Sequence, residues 1–241
     1  MPTLSGGFTY SLGHSLYVPL TSRCNSLTLP QTRGPGFLLP AQVVASLRRV
    51  RDAEEGTERW TQFANWLDAE EERQSLPEPM ERVDRSWLSP GRPTVTELLS
   101  EIPENSSSIV IAGEGEPTLR MAALEELVTK LRRQQPSDCH IRVTSNGLFP
   151  VAHQLALCGV DSVSVALMTH DPEQYNDLMQ PTCDHGYERV LEFVTQAQKE
   201  GLKVELTAVD QPGVDQDKTN KMAKSLVGIE NPVRWRPFFP G

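Results

Sequence analysis

Three groups of residues in this 241-residue chain carry side chains that could do chemistry. The first is Gly113-Glu114-Gly115-Glu116-Pro117, directly after the apolar run Ser108-Ile109-Val110-Ile111-Ala112. Gly113 and Gly115 let the backbone turn and approach a ligand closely. Pro117 fixes φ where the next helical stretch begins. Glu116 is then a carboxylate just past the end of a buried strand, able to hold a cationic group such as an amine. The same residues also suit a glycine-rich connection with a solvated glutamate. The second group is Ser145-Asn146-Gly147, where a hydroxyl and an amide could meet a ligand's ribose or carboxylate, or form an ordinary Asn-Gly turn. The third is the segment 21–36, with Cys24, Arg23 and Arg33, two prolines and two glycines. Segments of this length in a compact domain are usually functional or disordered. Cys183 and His185 could also ligate a metal, but two ligands do not make a site.

The elements that must position these groups can be read from hydrophobic period. Residues 8–20 read as a hairpin turning at Leu12-Gly13-His14-Ser15. Short apolar runs predict strands near 16–20, 108–112, 140–144, 162–167, 203–209 and 233–237. Pro19 cannot donate to a ladder, so the first of these is expected at an edge or bulged. Helical spacing recurs between them: 40–55, 94–102 with Thr94 and Glu97 as a capping box, 121–134, 151–158, 171–179 with Asp171 as N-cap, 187–200 and 215–226. Six alternating strand and helix steps predict a parallel α/β sheet. Ligands in such sheets and barrels bind at the C-terminal ends of the strands. Cys24, Glu116, Asn146, Met168 and Asp210 each follow or end a predicted strand and are expected to line one cleft, with Arg23 and Arg33 as a positive rim. Cys139 precedes its strand, at the opposite end. Residues 56–93 read as a charged helical and loop insertion in a single domain spanning 1–241. There, Trp60, Phe63 and Leu67 form a stripe suited to packing or to a partner.

Four stretches in this order, Tyr17-Val-Pro-Leu-Thr-Ser-Arg-Cys24, Gly113-Glu-Gly-Glu-Pro-Thr-Leu-Arg120, Thr144-Ser-Asn-Gly147 and Tyr175-Asn-Asp-Leu-Met-Gln-Pro181, resemble the radical SAM superfamily. They are most similar to its branch associated with TatD-type hydrolases. The resemblance implies a partial (β/α)6 barrel with an N-terminal β-hairpin. It also implies S-adenosylmethionine or a related nucleoside at Gly113, Gly115, Glu116, Ser145 and Asn146, and a TatD-type hydrolase as a partner. The family carries a [4Fe–4S] cluster on C-x-x-x-C-x-x-C after the first strand. Here Cys24 is followed at those spacings by Thr28 and Gln31, which are poor replacements for thiolates. On this alignment Cys24 alone keeps a cluster-ligand position, and the cluster is expected absent. Relatives place small and amide side chains where this chain has Ala166 and Met168. The resemblance further implies that Glu205 and Thr207, which share a strand face by period two, look into the barrel.

Composition narrows the function classes. A net charge of −9 and a pI near 5.1 argue against a nucleic-acid surface. No apolar run approaches the ~20 residues of a membrane helix, and the N-terminus has no signal-peptide pattern. Four widely spaced cysteines without a C-x-x-C pair predict unpaired thiols in the cytoplasm or another reducing compartment, with organellar targeting left open. Three functional readings remain. One is a radical-SAM fold without its cluster, retained for a small polar pocket or a partner. Another is an active radical SAM enzyme with a cluster completed by unusual ligands. The third is a cluster-free hydrolase using Glu114, Glu116, Glu205 and Asp210 around a divalent ion.

Overall fold

The computed structural model describes residues 7–54 and 93–241. Its centre is a seven-stranded sheet in the order β1-β2-β3-β4-β5-β6-β7, curled into a half-barrel. β1 (Tyr10–Leu12) and β2 (Ser15–Tyr17) form an antiparallel hairpin. Gly13 makes its turn at φ 60°, a conformation that costs glycine little. β2 then pairs in parallel with β3 (Ser108–Ile111), followed by β4 (His140–Ser145), β5 (Ser162–Ala166), β6 (Lys203–Asp210) and β7 (Val233–Pro237). The strand expected at 16–20 is shorter, and the expectation of an edge or a bulge fails. β2 lies inside the sheet between β1 and β3, and the ladder ends with Val18 N–H to Val110 O because Pro19 has no N–H to continue it.

Eight α-helices accompany the sheet among the described residues: α1 (Leu29–Thr32), α2 (Ala41–Glu54), α3 (Val95–Leu99), α4 (Met121–Gln134), α5 (Ala152–Cys158), α6 (Pro172–Met179), α7 (Gly186–Lys199) and α8 (Gln216–Val227). A 3-10 turn at Pro117–Arg120 leads into α4. The helix caps obey local chemistry. Thr94 accepts from Glu97 N–H, Asp171 from Gln174 N–H and Asp215 from Lys218 N–H. Pro117 and Pro172 stand in first turns, where a missing N–H costs nothing. α1 was not anticipated within 21–36. Its signal was present as Thr28-x-x-Gln31 with Pro30 inside the first turn.

The sheet has two faces because side chains alternate along each strand. Ile109, Ile111, Ile141, Val143, Val163, Val165 and Leu206 are fully buried and share one core with Leu124, Leu127, Leu131, Leu155 and Val190 of the helices. Each such side chain contributes about 1.5–3 kcal/mol on leaving water. The alternate positions, including Arg142, Ser164, Glu205 and Arg234, lie on the opposite, concave face. The insertion expected over 56–93, with Trp60, Phe63 and Leu67, lies outside the described residues apart from residue 93.

Candidate functional site

The segment after β2 is laid against the turn after β3. Gly115 N–H donates to Thr21 O at 3.2 Å and Glu116 N–H to Arg23 O at 2.7 Å. An added Cβ at Gly115 would stand 2.3 Å from Arg23 O, so only glycine admits this approach. The close neighbour there is the chain's own backbone. At Gly113 it is the Pro19 side chain, 2.5 Å from an added Cβ. Further ties hold the same segment. Glu54 accepts from Ser22 N–H at 2.9 Å, Arg120 donates to Leu20 O, and Asn25 O accepts from Thr182 N–H at 2.9 Å. The cysteine-bearing segment is therefore fixed from several elements at once.

At the centre lies Glu116, which is 3% exposed. Its Oε1 accepts from Thr118 N–H at 3.1 Å, Thr118 Oγ1 at 2.7 Å and Ser145 Oγ at 2.9 Å; its Oε2 accepts from Asn146 N–H at 2.7 Å. Burial pushes this carboxyl above the usual range, opposed by those hydrogen bonds. The Asn146 side chain reaches the other way, donating to Asn25 Oδ1 at 2.7 Å and to Ser26 Oγ at 3.2 Å, with Cys24 Sγ at 3.9 Å. Burial is also the main reason the Cys24 thiol sits above its ordinary value. Glu116 and Asn146 thus clasp three segments: the turn after β3, the end of β4 and the cysteine loop.

Around this clasp is a cleft of about 20 Å³, lined by Cys24, Ser26, Leu27, Leu29, residues 112–116, Thr144, Ser145, Asn146 and Met179. That is room for about one water molecule. Two buried hydroxyls, Thr28 Oγ1 and Tyr175 Oη, have no hydrogen-bond partner. Gln31 Oε1 accepts from Thr28 N–H at 2.8 Å at the start of α1.

Of the residues expected in one cleft, Cys24, Glu116 and Asn146 come together. Met168 is buried at φ 64° and does not line it. Asp210 is exposed at the end of β6 and takes Gln216 Nε2 at 2.5 Å. Arg33 is not on this rim either. It donates to Pro237 O at 2.8 Å and stacks on Phe37 and Phe239. The four carboxylates of the hydrolase reading are dispersed. Glu114 pairs with Arg51, Glu205 with Arg142 and Arg234, and Asp210 with Gln216. No group of three or more His, Cys, Asp or Glu side chains placed to hold a metal ion occurs among the described residues. Cys139 immediately precedes β4, Cys158 ends α5, and Cys183 lies between α6 and α7; none of the four cysteines is in a disulfide. Sequence reasoning missed Asn25, Ser26 and Thr118. Their only signal was adjacency to Cys24 and Glu116.

Comparison with known proteins places these features in context. The sequence description of the Radical SAM superfamily matches residues 83–226. No curated protein matches the chain. Among solved structures the chain is similar to native anSMEcpe with bound AdoMet, at 18% identity and a TM-score of 0.48 over 61% of this chain and 41% of that one. It is similar to TYW1 with a lysine-pyruvate adduct bound, at 13% identity and a TM-score of 0.48 over 94% and 65% of the two chains. Coproporphyrinogen III oxidase from Escherichia coli, a radical SAM enzyme, matches at 17% identity and a TM-score of 0.43 over 56% and 32%. The chain spans about two fifths of the length of the first of these structures. No helix among the described residues is long and apolar enough to cross a membrane.

Proposed function

The chain belongs to the radical SAM superfamily, and we propose that it is a member without the [4Fe–4S] cluster, and so without reductive cleavage of S-adenosylmethionine, that uses its half-barrel for binding. The donor set of the cysteine loop carries this reading. Such clusters are held by thiolates, and the loop offers Cys24, Thr28 and Gln31 at the family's spacing. Thr28 and Gln31 are built into the start of α1, where the Gln31 carbonyl is already engaged. These residues do not suit the cluster.

The nucleoside site suggested by Gly113, Gly115, Glu116, Ser145 and Asn146 is reduced in the same sense. Four protein donors already converge on the Glu116 carboxylate, and the cleft has room for about one water. As it stands, the cleft admits a polar group about the size of one water. An adenosyl ligand requires the 24–28 segment to move aside. The resemblance to the TatD-associated branch supports a TatD-type hydrolase as the protein partner.

The test is anaerobic reconstitution with iron and sulfide, then iron counting, visible absorption and assay for 5′-deoxyadenosine. A colourless protein that forms no 5′-deoxyadenosine is expected. A near-stoichiometric cluster with reductant-dependent 5′-deoxyadenosine overturns the reading in favour of an active enzyme with unusual ligands. Co-purification with a TatD-type hydrolase from the same cell tests the partner, and two independently eluting proteins would remove it.

A further inference from the structure

The concave face of the sheet carries a charge arrangement that the cleft at Glu116 does not use. Arg142 on β4, Ser164 on β5, Glu205 on β6 and Arg234 on β7 form a row across four neighbouring strands. Arg234 Nη2 lies 3.0 Å and Arg142 Nη1 3.6 Å from Glu205 Oε2, and Ser164 Oγ donates to the same oxygen. One carboxylate oxygen thus serves two guanidinium groups and a hydroxyl. Arg142 Nε is buried and has no hydrogen-bond partner. Arg236 is on the same face of β7, two residues beyond Arg234, with Tyr17 and Arg33 nearby. Burial and the like charges of Arg234 and Arg33 pull its guanidinium down to about 10, against weaker support from Glu205 and Tyr17. Arg33 is held at the rim by Pro237 O and by the rings of Phe37 and Phe239. Among the described residues, Arg142 and Arg234 thus share the Glu205 carboxylate, and Arg236 stands near Arg33, Arg234 and Glu205, on a chain whose net charge is −9.

We propose that this concave face is an anion site, in which Arg142, Arg234 and Arg236 take the phosphate or carboxylate group of a small molecule. Guanidinium forks match planar and tetrahedral oxyanions through paired N–H donors. A concave, partly buried setting strengthens each contact relative to open water. A ligand oxyanion would give Arg142 Nε its missing acceptor and offset the repulsion within the cluster. The site is separate from the Glu116 cleft and does not depend on whether a cluster is present.

The test is calorimetric titration of the full chain, in low-salt buffer free of competing anions, with inorganic phosphate, pyrophosphate and succinate in separate arms. Saturable binding of at least one probe is expected, weakening as sodium chloride is added. Binding by the phosphates alone assigns a phosphorylated ligand, and binding by succinate alone assigns a carboxylate. Arg236→Gln and the more exposed Arg234→Gln should each weaken binding by about tenfold or more, from the loss of a charge-assisted hydrogen bond. Glu205→Gln should tighten it, because the competing carboxylate is gone. Lys224→Gln, on α8 and paired at the surface with Glu230 beyond its end, should leave it unchanged. Arg234→Gln keeps the test valid if Arg236→Gln does not fold. Absence of saturable binding in every arm overturns the proposal. So does unchanged affinity in Arg234→Gln, or weaker binding in Glu205→Gln.

Discussion

Replacing Gly115 by Ala tests whether the cysteine segment is locked to the turn after β3. Gly115 does not adopt a positive φ, so alanine is permitted by the backbone and any loss must come from contact. The new Cβ would lie 2.3 Å from Arg23 O, 2.6 Å from Arg23 N and 2.6 Å from Thr21 O. All three are backbone atoms, so no side chain can swing aside. Relief requires the two segments to separate, which stretches or breaks the bonds from Gly115 N–H to Thr21 O and from Glu116 N–H to Arg23 O. Each bond is worth about 0.5–1.5 kcal/mol net, and overpacking a filled site costs about 1–3 kcal/mol. Alanine recovers about 0.4–1 kcal/mol by restricting the unfolded chain. The expected net loss is about 3 kcal/mol, near the middle of a combined range of about 1–6 kcal/mol. At roughly 2–4 °C per kcal/mol for a chain of this size, the melting temperature should fall by roughly 5–15 °C. Thermal denaturation monitored by circular dichroism measures this, and labelling of Cys24 should quicken in the variant. A melting temperature within about 1 °C of the parent, where a surface change would leave it, would refute the reasoning. The two segments would then not be in contact as described.

Three further outcomes are expected. Burial raises the Glu116 carboxyl, so the folded state holds its proton more tightly than the unfolded one. Its contribution to stability is complete below the unfolded value and is lost as pH rises through the raised folded one. Melting temperature should decline over that window in the parent and less in Glu116→Gln; parallel profiles would contradict this. Burial also raises the Cys24 and Cys139 thiols and pushes Cys158 up to about 11. At pH 7.5 these three should react slowly with a charged disulfide reagent and promptly after denaturation, and a fast native reaction mapped to Cys24 would count against the site geometry. Thr94→Ala removes the acceptor for Glu97 N–H at the start of α3. It should cost about 1 kcal/mol, read as a small drop in denaturation midpoint, and no drop would show that the cap adds nothing to stability.

Period and punctuation alone carried the architecture. Apolar runs separated by amphipathic stretches left a parallel sheet with outer helices as the consistent arrangement, and five of the six predicted strands begin at the expected residue. The exception, β2, depended on where a ladder can end, which Pro19 settled only once β3 lay beside it. Glu116 and Asn146 were also visible, because each sits just past a run that had to be a strand. Their partners were not. The Glu116 carboxylate is satisfied by donors two, 29 and 30 residues away, and Asn146 by an amide 121 residues away. A linear pattern holds no record of such pairs. The arginine row shows the same limit. Arg234 and Arg236 alternate along β7, yet alternation does not say which face meets the helices or that Glu205 and Arg142 share it. Sheet order and register fix that, since only the folded sheet brings residues from four strands into one electrostatic field.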